Sequence, residues 1–150
     1  MSQIIYLDTG PLGMVTNPHG SSENDACNQW LQALLGQRIQ VVIPEIADYE
    51  VRRELLRANK TMGIAQLDAL KRVIRYMPIT TQAMLKAAEF WADVRKRGTP
   101  TADAKALDGD VILAAQAVIA TSSADEAIIA TTNVKHLSLL VNARLWRDIP

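Results

Sequence analysis

The chain has 150 residues, 16 basic and 16 acidic side chains, and a formal net charge of zero. Hydrophobic residues at 49% and charged residues at 21% exclude a disordered or collagen-like chain and fit one domain, spanning 1–150, that hides roughly 68–70% of its unfolded surface. Cys27 alone excludes an internal disulfide, no apolar run reaches the ~18 residues of a membrane span, and no signal-peptide pattern opens the chain, so a cytosolic protein away from membranes is expected.

In chain order, residues 3–7 form an apolar, β-branched run closed by Asp8-Thr9-Gly10-Pro11, which reads as a buried strand followed by a turn. Ser21 offers an N-cap for a helical pattern in which Trp30, Leu31, Leu34 and Leu35 share a face, stopped by Gly36. Residues 39–43 read as a second strand, and Pro44 sits where a helix begins, with Ile46, Tyr49, Val51, Leu55 and Leu56 following. Helical spacing returns at Ile64, Leu67, Leu70 and Ile74, followed by a weak strand near residues 77–79. Thr80 caps the next helix, whose inward face reads as Met84, Ala87, Ala88 and Trp91 before Gly98. Residues 110–119 form a small-residue helix suited to close packing on a sheet, and residues 127–131 are the last clear strand. Strands alternating with helices predict an α/β fold with a mostly parallel sheet of four to five strands covered on both faces.

Ligands of such sheets gather at the carboxyl ends of the strands, and acids stand at these ends. Asp8 follows the first strand; Glu45, Asp48, Glu50 and Glu54 follow the second; Asp108 and Asp110 precede or open the alanine-rich helix; and Thr131-Thr132-Asn133 follows the last strand. Each has a plainer role available, because acids also cap helices and close turns. Several carboxylates in one pocket repel one another unless a positive charge joins them, and hard oxygen donors suit Mg²⁺ or Mn²⁺. Such a site favours metal-assisted hydrolysis of a phosphodiester.

At these residues the sequence resembles the PIN-domain nucleases, most closely the VapC-type ribonuclease toxins of type II toxin–antitoxin pairs. The resemblance rests on four elements in family order: Ile4-Ile5-Tyr6-Leu7-Asp8-Thr9, Val41-Val42-Ile43-Pro44 leading to Glu50, Asp110-Val111-Ile112-Leu113-Ala114-Ala115, and Thr131-Thr132-Asn133. It implies a three-layer α/β/α sandwich whose acidic triad, Asp8, Glu50 and Asp110, binds Mg²⁺ or Mn²⁺. Asn133 matches a fourth catalytic position that is often aspartate, and its lost charge weakens the case for a second ion. Asp108 offers either a further metal ligand or a helix-capping acid, and Asp103 is a weaker candidate. Thr9 and Thr131 match hydroxyl positions that orient the site, and Glu45 competes with Glu50 for the second metal position. The implied chemistry is in-line hydrolysis of RNA that leaves a 3′-hydroxyl and a 5′-phosphate, with no side chain as nucleophile. The implied partners are RNA, a cognate antitoxin and a second copy of the chain in a homodimer.

Two other readings stand beside it. One is an RNA- or metal-binding PIN module with little turnover. The other is a haloacid-dehalogenase-like phosphatase, which needs a second aspartate two residues after the first, where this chain has Gly10.

The zero charge is a sum of opposites. Residues 1–51 hold one basic residue and six acids, residues 52–105 hold twelve and five, and residues 106–150 hold three and five. Arg52, Arg53 and Arg57, just after Glu50, are therefore the expected RNA-binding residues. Aromatic residues are only 5% of the chain, so few stacking platforms are available and backbone recognition is expected to dominate.

Overall fold

The computed structural model describes residues 2–98 and 104–150; Asp103 lies outside them. The strands are β1 (Gln3–Leu7), β2 (Gln40–Pro44), β3 (Arg75–Met77), β4 (Glu126–Thr131) and β5 (Ala143–Leu145). The helices are α1 (Thr9–Thr16), α2 (Ser22–Gly36), α3 (Glu45–Arg57), α4 (Thr61–Val73), α5 (Thr81–Arg97), α6 (Ala104–Ala120) and α7 (Val134–Leu137), with a 3₁₀ turn at Trp146–Asp148. The strands form one sheet in the order β3-β2-β1-β4-β5, every neighbouring pair parallel. The expected α/β class and parallel sheet are what the chain adopts.

Parallel strands buried on both faces need apolar side chains at successive positions, and β1 supplies them. Ile5 and Leu7 join Val41, Ile43, Ile128 and Ala130 on one face, under Leu12, Leu31, Leu34, Val51 and Leu67 from α1 to α4. Ile4 and Tyr6 join Val42 and Ile129 on the other, under Leu113 and Ala117 of α6 and Leu137 of α7. Helix α5 lies outside α6, its Ala83, Ala87 and Val94 packed on Leu107, Val111 and Ala115.

Several local expectations are corrected. Asp8-Thr9-Gly10-Pro11 is the start of α1 rather than a turn: Asp8 is its N-cap, and Pro11 falls in the first turn, where no N–H is required. The weak strand lies two residues earlier, at Arg75–Met77, since Pro78 has no N–H to extend the ladder. Strand β5 was not expected; it is three residues long, pairs only with β4 and carries no long apolar run. Helix α6 begins at Ala104, so Asp108-Gly109-Asp110 lies within it rather than ahead of it. One helix face is also partly rotated from expectation: Met84 and Trp91 are exposed, while Ala83 and Val94 join the expected Ala87 in the core.

Candidate active site

Strand β1 lies at the centre of the sheet, and Asp8 extends its ladder by one bond, its N–H donating to Ala130 C=O at 2.9 Å. The Asp8 carboxylate is held from two sides. Oδ1 accepts the Thr9 N–H at 2.7 Å as the cap of α1, and Oδ2 accepts the Thr131 hydroxyl at 2.7 Å. Thr131 is fully buried at the end of β4, and its Oγ1 also accepts the Asn133 N–H at 3.0 Å. Burial raises the Asp8 pKa above the ordinary carboxylate value, against the lowering effect of those two hydrogen bonds.

Glu50 reaches the same place from α3. Its Oε1 accepts the Thr9 hydroxyl at 2.7 Å, so Thr9 links two acids, Asp8 through its N–H and Glu50 through its side chain. On the outer side, Arg53 Nη2 lies 3.8 Å from Glu50 Oε2. Helix α6 closes in at Gly109, where a Cβ would stand 2.6 Å from Glu50 Oε2. Asp110 is the next residue. Its pKa is pushed up to about 7, first by burial and then by the charges of Asp8 and Glu50. Three carboxylates from β1, α3 and α6 thus converge where the strands end.

The other expected site residues separate by geometry. Asp108 and Asp110 are two positions apart on a helix, about 200° around its axis. Asp108 therefore lines a groove on the far side with Met84, Ala87, Trp91, Val111 and Ile112, and is not brought to the three acids. Glu45 faces away as well: its Oε1 accepts the Ile79 N–H at 2.6 Å, tying α3 to the segment after β3. Tyr76 is pushed up to about 12, by burial first and then by the charge and hydrogen bond of Glu45. Asn133 stands at the end of β4 beside Thr131, and its Oδ1 accepts the Lys135 N–H at 3.2 Å as the cap of α7.

The three arginines also differ. Arg52 makes bonds of 3.0 and 3.1 Å to the two oxygens of buried Asp48 and one of 2.7 Å to Asp68. Arg57 pairs with Glu54 at 2.9 Å on the surface. Arg53 is half exposed, stacks 5.1 Å from the Tyr49 ring centre and borders Glu50.

Residues that the sequence reading passed over complete the surroundings. Gly109 and Gly10 permit close approach, the latter because a Cβ there would stand 2.5 Å from Thr132 Oγ1. A cleft of about 190 Å³ beside Glu50 is lined by Thr9, Gly13, Asn17, Glu54 and Lys60. A larger groove of about 520 Å³ passes His19, Asn28 and Gln66 but includes none of the three converging acids. Only Gly109 carried a sequence signal, a glycine between two aspartates in an otherwise helical stretch.

Among the described residues, no group of three or more His, Cys, Asp or Glu side chains is already placed to hold a metal ion. The donor chemistry nevertheless fits a hard divalent ion. Asp8, Glu50 and Asp110 offer only oxygen, and Asp8 and Asp110 bind protons more tightly than ordinary aspartates. Mg²⁺ commonly uses one or two carboxylates and keeps several waters, so a closed cage is not required.

This sheet order and this cluster define the fold class as PIN-like α/β/α. No family model and no curated protein matches the sequence. Solved structures do match in fold. The structure of VapBC2 from Rickettsia felis bound to a DNA fragment from their promoter contains a chain with a TM-score of 0.74 at 16% identity, covering 95% of this chain and 98% of that one. FitAcB from Neisseria gonorrhoeae gives a TM-score of 0.69 at 18% identity over 97% and 99% of the two chains. VapBC-1 from nontypeable Haemophilus influenzae gives 0.65 at 16% identity over 97% and 99%. The chain shares the fold of these VapBC and FitAcB chains. Among the described residues, no helix is long and apolar enough to cross a membrane.

Proposed function

We propose that this chain, folded as a single domain over 1–150, is a Mg²⁺- or Mn²⁺-dependent endoribonuclease and the cytoplasmic toxin of a type II toxin–antitoxin pair. One observation carries the reading: Asp8, Glu50 and Asp110 come from three separate elements, Thr9 ties Asp8 to Glu50 through 2.7 Å bonds, and the charges of both acids add to burial in raising the pKa of Asp110 to about 7. The motif resemblance to VapC-type toxins and the shared fold with VapBC and FitAcB chains point the same way. The motif resemblance also favours an antitoxin partner and a homodimer, and the likeness to VapBC and FitAcB chains supports the antitoxin.

Asp8, Glu50 and Asp110 would hold the ion. When bound, the divalent ion neutralises phosphoryl oxygens and makes water a stronger nucleophile at neutral pH. The chain itself orients the ligands: Thr9 steers Glu50 and Thr131 steers Asp8 through the 2.7 Å bonds from their hydroxyls. Asn133 stays at the rim as the fourth family position. Arg53, half exposed beside Glu50, is the best placed of the three arginines to meet an RNA phosphate, whereas Arg52 is already engaged by two aspartates.

The test is cleavage of labelled RNA by purified protein with Mn²⁺ or Mg²⁺, beside Asp8→Ala and Glu50→Ala. Wild type should cleave, EDTA should stop it, and each variant should lose at least 100-fold in rate, about 2.7 kcal/mol of transition-state stabilisation. Equal cleavage by wild type and both variants would sink the assignment. RNA binding without metal-dependent cleavage would instead favour the non-turnover module, for which the capping role of Asn133 Oδ1 is the supporting observation. The phosphatase reading loses ground because Gly10, where its second aspartate belongs, packs against Thr132.

A further inference from the structure

The carboxylates of α3 and α6 come from helices far apart in sequence, so something must set the distance between them. The start of α3 is unusual. The first four N–H groups of a helix lack intrahelical partners, and a side chain at the N-cap normally satisfies one of them. The N-cap here is Pro44, which provides no side-chain bond, and the next residue, Glu45, is committed to Ile79. The vacant capping role falls to another helix. Gln116 of α6 accepts the Ile46 N–H on its Oε1 at 3.2 Å and donates from Nε2 to the carbonyl of Met77, the last residue of β3, at 2.9 Å.

Gln116 is 2% exposed. Buried amides are costly unless paired, and this one is paired at both ends with backbone that cannot move without shifting its element. Its neighbours Leu113 and Ala117 pack with Ile46 and Met77 in the same cluster. Ile46 lies one helical turn before Glu50, and Gln116 shares α6 with Gly109 and Asp110. Where Gly109 meets Glu50, a Cβ would stand 2.6 Å from the carboxylate, so small displacements of α6 against α3 matter there.

On the reading of Asp8, Glu50 and Asp110 as an ion site, we propose that Gln116 is its positioning residue: the buried amide bridge from α6 to the start of α3 sets the separation of Asp110 and Glu50. Gln116 contacts no ion or substrate in this role. It acts through the two helices rather than by touching Glu50 or Asp110, and the loss expected is of the size seen when outer-shell partners of metal ligands are removed, about 10–100-fold in metal affinity.

The test measures Mn²⁺ affinity of the full chain by the electron paramagnetic resonance of free Mn²⁺, well below each variant's melting temperature. Gln116→Met keeps the shape of the side chain and removes both hydrogen bonds. Leu34→Ala opens the core at α2, and controls for lost stability alone. Gln116→Met should bind Mn²⁺ about 10–100-fold more weakly than wild type, with Leu34→Ala unchanged. Gln116→Glu keeps the acceptor for the Ile46 N–H and should show a smaller loss; if Gln116→Met does not fold, this variant decides, and wild-type affinity in it overturns the proposal. Wild-type affinity in folded Gln116→Met, or an equal loss in Leu34→Ala, likewise overturns it. Absence of Mn²⁺ binding by wild type would overturn the ion-site reading itself.

Discussion

Asp110 illustrates how a site residue can work against its own fold. An ordinary aspartate in an unfolded chain releases its proton near 3.9, whereas burial and the charges of Asp8 and Glu50 push Asp110 to about 7. Between those values the native chain keeps a proton that the unfolded chain has lost, so this residue's contribution to stability falls as pH rises through that window. In EDTA, Asp110→Asn should therefore melt above wild type at pH 8, and the margin should close towards pH 4; thermal melts by circular dichroism measure both. No gain at pH 8 would contradict the raised pKa. Arg52 shows a different lesson at the same scale. Its place just after Glu50 reads as substrate binding, yet Asp48, buried at 6% exposure, needs a counter-charge that Arg52 and Lys71 supply. A buried acid outcompetes a distant phosphate for a neighbouring cation.

Elements decide whether such residues meet. Helix α6 crosses α3 at Gly109, and the nearest atom to an added Cβ is the free end of the Glu50 side chain. Gly109→Ala should therefore displace Glu50 rather than the backbone, while alanine gains about 1 kcal/mol over glycine in a helix interior. The expected result is a melting temperature at or slightly above that of wild type with RNA cleavage reduced at least tenfold (~1.4 kcal/mol). A fall in melting temperature with unchanged cleavage would show that the two helices separate instead.

The same scale explains what was legible. Strands β1, β2 and β4 are apolar at nearly every position because both faces are buried, and Asp8 stands directly after the first of them. Asp8 could be named from that pattern, and Glu50 and Asp110 from the family motifs; Thr9 joins Asp8 to Glu50, and Asp110 feels the charges of both. Asp108 could not be separated from Asp110 without knowing that the helix already runs through both, since Gly109 interrupts the periodicity. Gln116 was invisible for another reason. A glutamine on a helix signals nothing until the folded chain shows two backbone groups aimed at it.

For the whole molecule, the neutral total conceals the acids of the proposed site and a basic middle third of the sequence. An ion bound at the site stabilises the fold by mass action, by about 2.7 kcal/mol at 100 times its dissociation constant. In a domain of this size that corresponds to a rise of about 5–10 °C in melting temperature. Mn²⁺ should produce such a rise in wild type and none in Asp8→Ala, measured at pH 8, above the value of about 7 for Asp110. An equal rise in both would place the ion elsewhere.

Strand β1 is the first strand made, yet it pairs on one side with β4, more than a hundred residues later. The Asp8–Thr131 bond spans 123 positions. Contacts of such separation form late, after a large loss of chain entropy. On the ribosome, Asp8 emerges long before Thr131, before Asp110 and before four of the five strands of the sheet that surrounds it. The site proposed around Asp8 is therefore incomplete until nearly all of this sequence has been synthesised.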